Sequence, residues 1–335
     1  MNILITGAAG GIGSTLAYLL TQNGHKVIAY DNFNNGYIAN LHENGHQFCE
    51  IVFGDIRNTA KVLATLNNYN IDVVIHLAAL TALPICESDP TECISVNVGG
   101  TVAILDAVRM SKGQRVIVAG TSAIYENNDP SDAPFTENLT VSPRLFYPLS
   151  KKLMEETIQS YITNYGMDIV TLRFFNVFGP RQDIHRKSPP LINYVVREIK
   201  QGRQLEFYST GKQQRDYVHV DDVVRLIELC LDDPRAANEI FNVCTGTLTS
   251  VLDVVGYAEA AFDIKLDYVL KESSKFWSSY ERLSAGSRPL LDDVLDREVN
   301  KFALGSFEHA AKTIGWTPNT DIKSLMISTM RQIKL

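Results

Sequence analysis

The sequence predicts an α/β fold: a doubly wound parallel sheet with a smaller C-terminal α/β portion. Over the first 120 residues, short β-branched runs alternate with helical patterns. A glycine-rich turn follows the first run, and a loop rich in Asn, Asp and Pro follows the last. Such alternation is typical of βαβ units, whose right-handed crossovers bring the carboxyl ends of all strands to one edge. Ligands bind at that edge in folds of this class.

The predicted elements follow from these patterns in chain order. After the first strand, Leu16, Leu19 and Leu20 recur at helical spacing and Gly24 supplies the helix stop. A second helix is predicted over about Ser150–Tyr165, after the loop. The predicted strands are Asn2–Ile5, Lys26–Tyr30, Phe48–Phe53, Asp72–Leu77, Arg115–Ala119, Asp168–Phe174 and Ile240–Val243. We expect one domain over residues 1–178, re-entered at about 216–248, and a second portion mainly over 179–335.

Composition excludes several functional classes. The chain has 335 residues, 45% of them hydrophobic, and a net charge of −7 without a Lys/Arg-rich run, which argues against nucleic-acid or anionic-membrane partners. Met1–Gly7 resembles a strand rather than a signal peptide, and no apolar stretch approaches the roughly 18 residues of a membrane span. The five cysteines lack metal-ligand spacing, so we expect reduced thiols, no metal site and a cytoplasmic protein.

The glycine turn Gly7–Gly13 directly follows the first strand and opens a helix. Gly7, Gly10 and Gly13 repeat every three residues, with Gly11 and Ile12 between the last two. Glycines here let the backbone turn tightly and approach a pyrophosphate at the helix N-terminus. Taken alone, the pattern fits a plain strand–helix turn equally well.

Three strand ends strengthen the prediction of a dinucleotide site. Asp31 ends the second strand, where a carboxylate binds the adenosine ribose and repels a 2′-phosphate, which favours NAD over NADP. Asp55–Ile56 follows the third strand and is placed to contact adenine, and small residues in Leu77–Ala79 end the fourth. The preceding His76 is interpreted as a packed residue rather than a catalyst.

Tyr147 and Lys151 form a Y-x-x-x-K pair, whose spacing puts both side chains on one helix face. An adjacent ammonium and a positive nicotinamide ring would favour the phenolate, so Tyr147 could exchange a proton with a substrate hydroxyl. Thr121 follows the fifth strand and could hold the same oxygen. The Y-x-x-x-K spacing alone is also compatible with two exposed side chains on one helix.

Together, Gly7/Gly10/Gly13, Asp31, Asp55, His76–Ala79, Asn97, Thr121 and Tyr147/Lys151 resemble the extended short-chain dehydrogenase/reductase family, in its nucleotide-sugar epimerase/dehydratase group. The segments Arg173–Gln182 and Arg215–Asp222 resemble the group's later signatures. The resemblance implies a Rossmann domain followed by a substrate-binding portion. It also implies NAD contacts from Gly7, Gly10, Gly11, Ile12, Gly13, Asp31, Asn32, Asp55, Ile56, Leu77, Ala78, Ala79, Asn97, Tyr147 and Lys151.

The same resemblance implies a nucleoside-diphosphate sugar as substrate. Asn176 and Arg215 would contact its diphosphate, although Arg215–Asp216 could instead be a local ion pair. Arg282, Arg288 and Arg297 compete for a further phosphate contact, and we choose Arg288. The sugar would be contacted by Thr81, Ala82, Thr121, Ser122, Tyr147 and the Lys187–Pro190 region. Trp277, Tyr280 and Tyr208 could stack on a base or belong to the core.

The two positions after Thr121 discriminate among the group's reactions. Dehydratases of the group carry an Asp–Glu pair there and decarboxylases keep the Glu, whereas this chain has Ser122 and Ala123. Neither side chain can transfer protons for an elimination. The resemblance then implies a UDP-sugar 4-epimerase, in which Tyr147 takes the C4 hydroxyl proton, NAD takes the hydride, and the 4-keto sugar rotates before reduction.

Other functions and assemblies remain open from sequence. A nucleotide-sugar dehydrogenase or 4-ketoreductase would use the same residues, followed in order by a dehydratase or decarboxylase and by a non-catalytic NAD-sensing protein. The helices at about Pro90–Ser111 and Ser150–Tyr165 resemble a pair that forms a four-helix homodimer interface in relatives. Their apolar faces could equally pack within one chain.

Overall fold

The computed structural model describes residues 1–111, 115–284 and 288–334. Its strands are β1 (Asn2–Thr6), β2 (Lys26–Asp31), β3 (His42–Glu43), β4 (His46–Gln47), β5 (Glu50–Phe53), β6 (Val73–His76), β7 (Arg115–Thr121), β8 (Asp168–Phe174), β9 (Asn176–Phe178), β10 (Leu205–Phe207), β11 (Gln214–His219), β12 (Ile240–Val243), β13 (Leu248–Ser250) and β14 (Tyr268–Leu270). Its helices are α1 (Gly11–Gln22), α2 (Thr59–Tyr69), α3 (Leu83–Ser88), α4 (Pro90–Ile94), α5 (Gly100–Met110), α6 (Phe146–Tyr165), α7 (Leu191–Lys200), α8 (Val220–Cys230), α9 (Val251–Phe262), α10 (Glu281–Ser284), α11 (Asp292–Asn300), α12 (Glu308–Ile314) and α13 (Ile322–Gln332).

A seven-stranded parallel sheet, in the order β12-β8-β7-β6-β1-β2-β5, forms the centre of the molecule. From β1, the chain adds β2 and β5 on one side. It then returns to the other side of β1 and adds β6, β7, β8 and β12. Thr6 at the end of β1 pairs with both Tyr30 and His76, so the strand order reverses beside the glycine turn. The predicted doubly wound α/β fold is confirmed, and each predicted sheet strand belongs to this sheet.

Helices cover both faces of the sheet, which explains why its strands are continuous apolar runs rather than alternating ones. On one face, α1, α8 and α12 pack against residues such as Ile3 and Ile5. On the other face, α2, α5 and α6 pack against residues such as Leu4 and Ile28. The two apolar layers fix the carboxyl edge of the sheet, where the predicted ligand site lies.

A smaller α/β portion lies beyond β9. Strand β11 pairs parallel to β9 and antiparallel to β13, and β10 pairs parallel to β14. Helices α7, α9 and α13 share an apolar core that includes Val195, Val254 and Met326. The chain returns to the large sheet through β12, which pairs with β8.

The predicted start of the second helix was wrong, because α6 begins at Phe146 rather than near Ser150. Pro148 suggested a loop, but it occupies the first helical turn, where the backbone N–H has no intrahelical partner. The carboxylate of Glu87, on helix α3, accepts the N–H of Phe146 and so caps α6 from a segment distant in sequence. Tyr147 is therefore held in the first turn of a regular helix.

Helices α4 and α5 are joined by a π-helical turn at Ser95–Gly99 into one continuous segment. Among the described residues, this Pro90–Met110 segment is the one helix whose length and apolar character would allow it to cross a membrane. Half of its most apolar stretch is buried inside the protein. Its other half leaves apolar side chains partly exposed.

Candidate active site

The glycine turn is a tightly packed cradle at the end of β1. Gly7 has a φ of +69°, and a Cβ on it would lie 2.7 Å from the backbone nitrogen of Ala78. A Cβ on Gly13 would lie 2.3 Å from the carbonyl oxygen of Gly7. Helix α1 starts with the bond from the Ser14 N–H to the Gly10 carbonyl. Glycine is therefore required at both positions, and the free N-terminus of α1 faces the edge where a pyrophosphate would bind.

Asp31 lies against this cradle at the end of β2. Its Oδ2 accepts the backbone N–H of Ala9 at 2.9 Å, and its Oδ1 accepts that of Phe33 at 2.8 Å. The carboxylate is buried, with spare lone pairs for ribose hydroxyls. Asn32 is exposed beside it. This arrangement fits the adenosine half of NAD.

The residues predicted for the adenine side lie at the end of β5. The Asp55 carboxylate accepts three side-chain bonds and one backbone bond from Arg57, and these bonds keep its pKa below the usual range. Ile56 is buried against Gly100, where a Cβ would lie 2.4 Å from its Cδ1. Both residues are held firmly near the predicted ring position.

The carboxyl end of β6 is fixed by buried hydrogen bonds. His76 bonds Thr6 at 2.7 Å and Thr101 at 3.1 Å, and burial lowers its pKa to about 3, so it is a neutral structural residue. The backbone N–H of Ala78 donates to Thr6 Oγ1. Leu77 and Ala78 thus lie directly against the glycine cradle, and the contact of Leu77–Ala79 with the cofactor stays a prediction. Thr81, two residues further on, is exposed.

Asn97 connects this segment to α6, the helix that carries Tyr147. Its Oδ1 accepts the N–H of Leu80 at 2.8 Å, while its Nδ2 donates to the Leu80 carbonyl and to Ser150 Oγ on α6. All three groups are buried. In the structure Asn97 therefore positions the loop after β6, and any contact with the cofactor stays a prediction.

Thr121, Tyr147 and Lys151 are brought together from β7 and α6. Thr121 lies close enough to Tyr147 to lower the pKa of its phenol, and Thr121 Oγ1 accepts the N–H of Ala123 at 3.2 Å. Lys151 Nζ donates to the Ala119 carbonyl at 2.8 Å. Ser122 and Ala123 form the short 3₁₀ turn after Thr121. The predicted proton carrier, its hydroxyl partner and its ammonium neighbour thus share one pocket edge.

Burial controls the charge of this group in the ligand-free chain. It raises the pKa of Tyr147 to about 12, against the opposing effects of the Thr121 hydroxyl and the positive charge of Arg186. It also lowers the pKa of Lys151 to about 8, against the carboxylate of Glu155. A bound positive ring would act in the direction of the phenolate.

Two acidic side chains cap the helix that carries Tyr147. Glu126 accepts the backbone N–H groups of Arg144 and Leu145, just before α6, and Glu87 accepts that of Phe146. Burial raises the pKa of Glu87 to about 7, partly through the neighbouring charge of Glu126. The start of α6 is thereby fixed from helix α3 and from the turn after β7.

The predicted phosphate ligands lie at the junction with the smaller portion. Asn176 Nδ2 donates to the Asp216 carbonyl, and Arg215 Nη2 donates to the carbonyls of Glu298 and Val299 at the end of α11. Arg288 is exposed beside the undescribed residues, whereas Arg297 lies within α11 and donates to Asn127. The choice of Arg288 as a further diphosphate ligand stays a prediction.

Asp216 does not pair with Arg215. Its carboxylate is fully buried and accepts the N–H groups of Thr245, Gly246 and Gly305 and the Thr245 hydroxyl. Burial raises its pKa to about 6 against these bonds. The alternative of a local ion pair at Arg215–Asp216 was wrong, and Arg215 has no carboxylate within 4 Å among the described residues.

The three aromatic candidates for base stacking differ in position. Trp277 is buried in a cluster with Leu145, Leu283 and Leu295, which is a core role. The Tyr280 hydroxyl bonds Ser188 Oγ at 2.7 Å, and the Tyr208 ring contacts Phe276.

Arg186 was not predicted from the sequence, although its positive charge lowers the pKa of Tyr147. It lies in the Asp183–Ser188 segment between β9 and α7, with no motif around it. Its position could not be predicted locally, because the segment is folded by contacts with α7 and with the region around Tyr280.

Comparison with known proteins agrees with this geometry. A family model described as the NAD dependent epimerase/dehydratase family matches residues 3–244. The UDP-glucose 4-epimerase of Mycolicibacterium smegmatis is 34% identical over 256 residues, which cover 76% of this chain and 80% of that protein. A protein named putative UDP-glucose 4-epimerase from Methanocaldococcus jannaschii is 30% identical over 322 residues, covering 96% of this chain and 94% of that one.

A solved structure shows the same fold over almost the whole chain. The UDP-glucose 4-epimerase of Thermotoga maritima with UDP-glucose superposes with a TM-score of 0.85 at 24% identity, covering 99% of this chain and 98% of that one. The extended match to the family model and the two relatives confirm the predicted resemblance. The chain belongs to the NAD-dependent epimerase/dehydratase family.

Proposed function

We propose that this protein is a UDP-sugar 4-epimerase that retains its NAD through the catalytic cycle. The observation that carries the proposal is the Thr121–Tyr147–Lys151 group at the sheet edge, followed by Ser122 and Ala123. The group can move a proton at a hydroxyl, and the two following side chains offer no carboxylate for elimination. The relatives named UDP-glucose 4-epimerase support the same conclusion.

The residues have distinct tasks in this proposal. Tyr147 removes the proton of the sugar C4 hydroxyl and returns it after rotation of the keto sugar, while Thr121 holds that oxygen. Lys151 leaves the Ala119 carbonyl for the nicotinamide ribose and favours the phenolate of Tyr147. NAD, when bound, accepts and returns the C4 hydride. Asp31 and the glycine cradle keep it in place between the two half-reactions.

Substrate contacts come from both portions of the chain. We assign cofactor binding to residues 1–178 together with about 216–248, and most substrate contacts to residues 179–335. Asn176, Arg215 and a C-terminal arginine would bind the diphosphate, and Thr81 and Ser122 would contact the sugar. The five free cysteines support a reducing, cytoplasmic location.

We also propose a homodimer formed by α4–α5 and α6. Ile94, Val98 and Val102 are partly exposed at helical spacing on the first segment, as are Leu149 and Leu153 on α6. Pairing these stripes with a second copy would bury them in a four-helix arrangement.

The test is epimerisation without added cofactor. Purified protein is incubated with UDP-glucose, UDP-N-acetylglucosamine and UDP-glucuronate, and 4-epimers are separated by chromatography. Bound nucleotide is released by denaturation and measured. We expect epimerisation of at least one sugar by protein carrying NAD, and loss of turnover with retained NAD in Tyr147→Phe. A 4-keto product that accumulates, or turnover only with added NAD or NADH, would favour a net oxidoreductase.

A further inference from the structure

A strap between β2 and β3, formed by residues 33–41, packs against the glycine cradle at Ala9. The backbone N–H of Tyr37 and the side-chain Nδ2 of Asn40 both donate to the Ala9 carbonyl, at 3.2 and 2.9 Å. A Cβ on Gly36 would lie 2.7 Å from the Ala9 Cβ, so only glycine allows so close an approach. The strap is therefore fixed to the cradle by its backbone.

Residues 181–185, which follow β9 in the other half of the chain, contact the same cradle at Gly11. A Cβ on Gly11 would lie 3.0 Å from the Cα of Gln182 and 3.2 Å from the carbonyl oxygen of Arg181. Helix α1 begins at Gly11, where a pyrophosphate would bind. Two segments that are distant in sequence thus meet at the predicted cofactor site.

Two links join the strap to residues 181–185. The Tyr37 hydroxyl donates to Asp183 Oδ1 at 3.2 Å. The Arg181 guanidinium donates to the Asn40 carbonyl at 2.8 Å and pairs with the carboxylate of Glu43, just beyond the strap. The cradle, the strap and residues 181–185 therefore form a closed ring of contacts.

The two links differ in how easily they can open. The guanidinium of Arg181 also lies over the rings of Tyr18 and Phe48, 5.3 and 5.9 Å from their centres, so several contacts hold it. The side chain of Tyr37 is held to Asp183 by a single solvent-exposed hydrogen bond, and Tyr37 is 44% exposed. One exposed hydrogen bond contributes little net free energy, so the Tyr37 link is the one that can break and re-form.

We infer that the strap and residues 181–185 form a clasp over the glycine cradle, and that the Tyr37–Asp183 bond must break before NAD enters or leaves. The inference rests on the proposed function, because a 4-epimerase that retains NAD between two half-reactions needs slow release of the cofactor. Asp31 and the cradle would bind NAD, whereas the clasp would control the rates of exchange. Tyr37, Asp183 and Arg181 are thus positioning residues and not ligands of NAD.

The test measures NAD exchange without any sugar. NAD-loaded wild type, Tyr37→Phe and Tyr268→Phe are mixed with excess etheno-NAD, and its fluorescence anisotropy follows the release of bound NAD. Association of etheno-NAD is measured after bound nucleotide has been removed with charcoal. We expect Tyr37→Phe to raise both rates about three- to tenfold, as for one hydrogen bond, and to change the Kd less than about threefold. Tyr268→Phe alters a similarly exposed tyrosine on β14 and should match the wild type.

A second variant tests the other link. Arg181→Met removes the guanidinium but keeps an apolar side chain against Tyr18, and it should also raise both rates, by at least as much as Tyr37→Phe. Arg235→Met is its control, because Arg235 forms an exposed ion pair with Asp233 between α8 and β12. Both rates in Arg235→Met should equal those of the wild type.

Three outcomes would overturn the inference. Unchanged rates in Tyr37→Phe would show that its hydrogen bond does not control exchange. Faster release with an unchanged association rate would assign Tyr37 to the binding of NAD, because a gate acts on entry and exit alike. Equal effects in Tyr37→Phe and Tyr268→Phe would show that the site has no specific latch. None of these outcomes bears on the proposed function, which fails separately if NAD-loaded wild type epimerises no UDP-sugar.

Discussion

At the scale of single residues, burial disfavours the charged forms of the titratable groups at the site. Tyr147, Lys151 and Glu87 all have pKa values displaced toward their neutral forms, because their side chains lie within protein rather than water. In the ligand-free chain, Tyr147 is therefore a protonated phenol, and the nearby amine of Lys151 has a lowered pKa. Charges supplied by bound ligands can then change their protonation, which solvent alone does not achieve at neutral pH.

Glu87 should make the stability of the folded protein depend measurably on pH. Its pKa is raised from 4.5 to about 7 in the folded chain, so the folded state holds its proton more tightly than the unfolded state. Its contribution to the free energy of unfolding is therefore full below about pH 4.5 and is lost as pH rises toward 7. Glu87→Gln keeps an acceptor for the Phe146 N–H, so its thermal midpoint should fall less than that of the wild type between these pH values.

The control for this measurement is Glu156→Gln, which alters an exposed carboxylate on α6, the helix that Glu87 caps. It should follow the wild-type pH dependence. If Glu87→Gln also parallels the wild type, the carboxylate does not titrate in this window.

At the scale of elements, α6 is the helix that carries Tyr147 and Lys151 and positions them at the site. Glu87 caps it from 59 residues earlier, and Glu155 pairs with Arg173 on β8 at 2.8 Å. The Arg173–Glu155 pair is almost fully buried and is extended by the Tyr125 hydroxyl. The helix is therefore fixed at its start and along its length.

Breaking that pair should destabilise the fold. Glu155→Ala would leave Arg173 buried without its counter-ion, and we expect a loss of about 3–5 kcal/mol in the free energy of unfolding. The double variant Glu155→Leu with Arg173→Met should recover most of this loss, since both charges are removed. Urea unfolding of the NAD-loaded proteins measures both values. A single variant as stable as the wild type would contradict the buried-pair interpretation.

The glycine cradle gives a second prediction at this scale. In Gly13→Ala the new Cβ would lie 2.3 Å from the Gly7 carbonyl oxygen, so the turn must shift and the protein should purify with little NAD. Gly256→Ala is the matched control, because nothing lies within 4 Å of a Cβ there and alanine favours its helix. Nucleotide content after denaturation is the measurement, and full NAD occupancy in Gly13→Ala would contradict the steric argument.

The elements also show what the sequence could reveal. Strands such as Ile3–Ile5 were predictable because burial on both faces makes them uniformly apolar. The first turn of α6 was not, because its cap is a long-range contact with Glu87. Arg186 was missed for the same reason, and the pairing of β10 with β14 joins short segments without a periodic signal.

At the scale of the whole molecule, the partly exposed stripe on α4–α5 and α6 makes a prediction about assembly. Leu153→Glu places a charge in the proposed dimer interface and should give monomers, measured by light scattering after size exclusion. Gln159→Glu alters an exposed residue on another face of α6 and should remain dimeric. A monomeric wild type would reject the proposed homodimer.

The buried carboxylate of Asp216 has a consequence for how the catalyst moves. It binds strand β11 to the turn after β12 and to Gly305 through four hydrogen bonds, so the two halves of the chain share one rigid joint. A 4-epimerase must present both faces of its keto sugar to the same hydride donor. Because this joint is rigid, we expect the keto sugar rather than the protein to rotate between the two half-reactions. The pocket therefore has to be wide enough for the sugar to rotate about its bonds to the diphosphate.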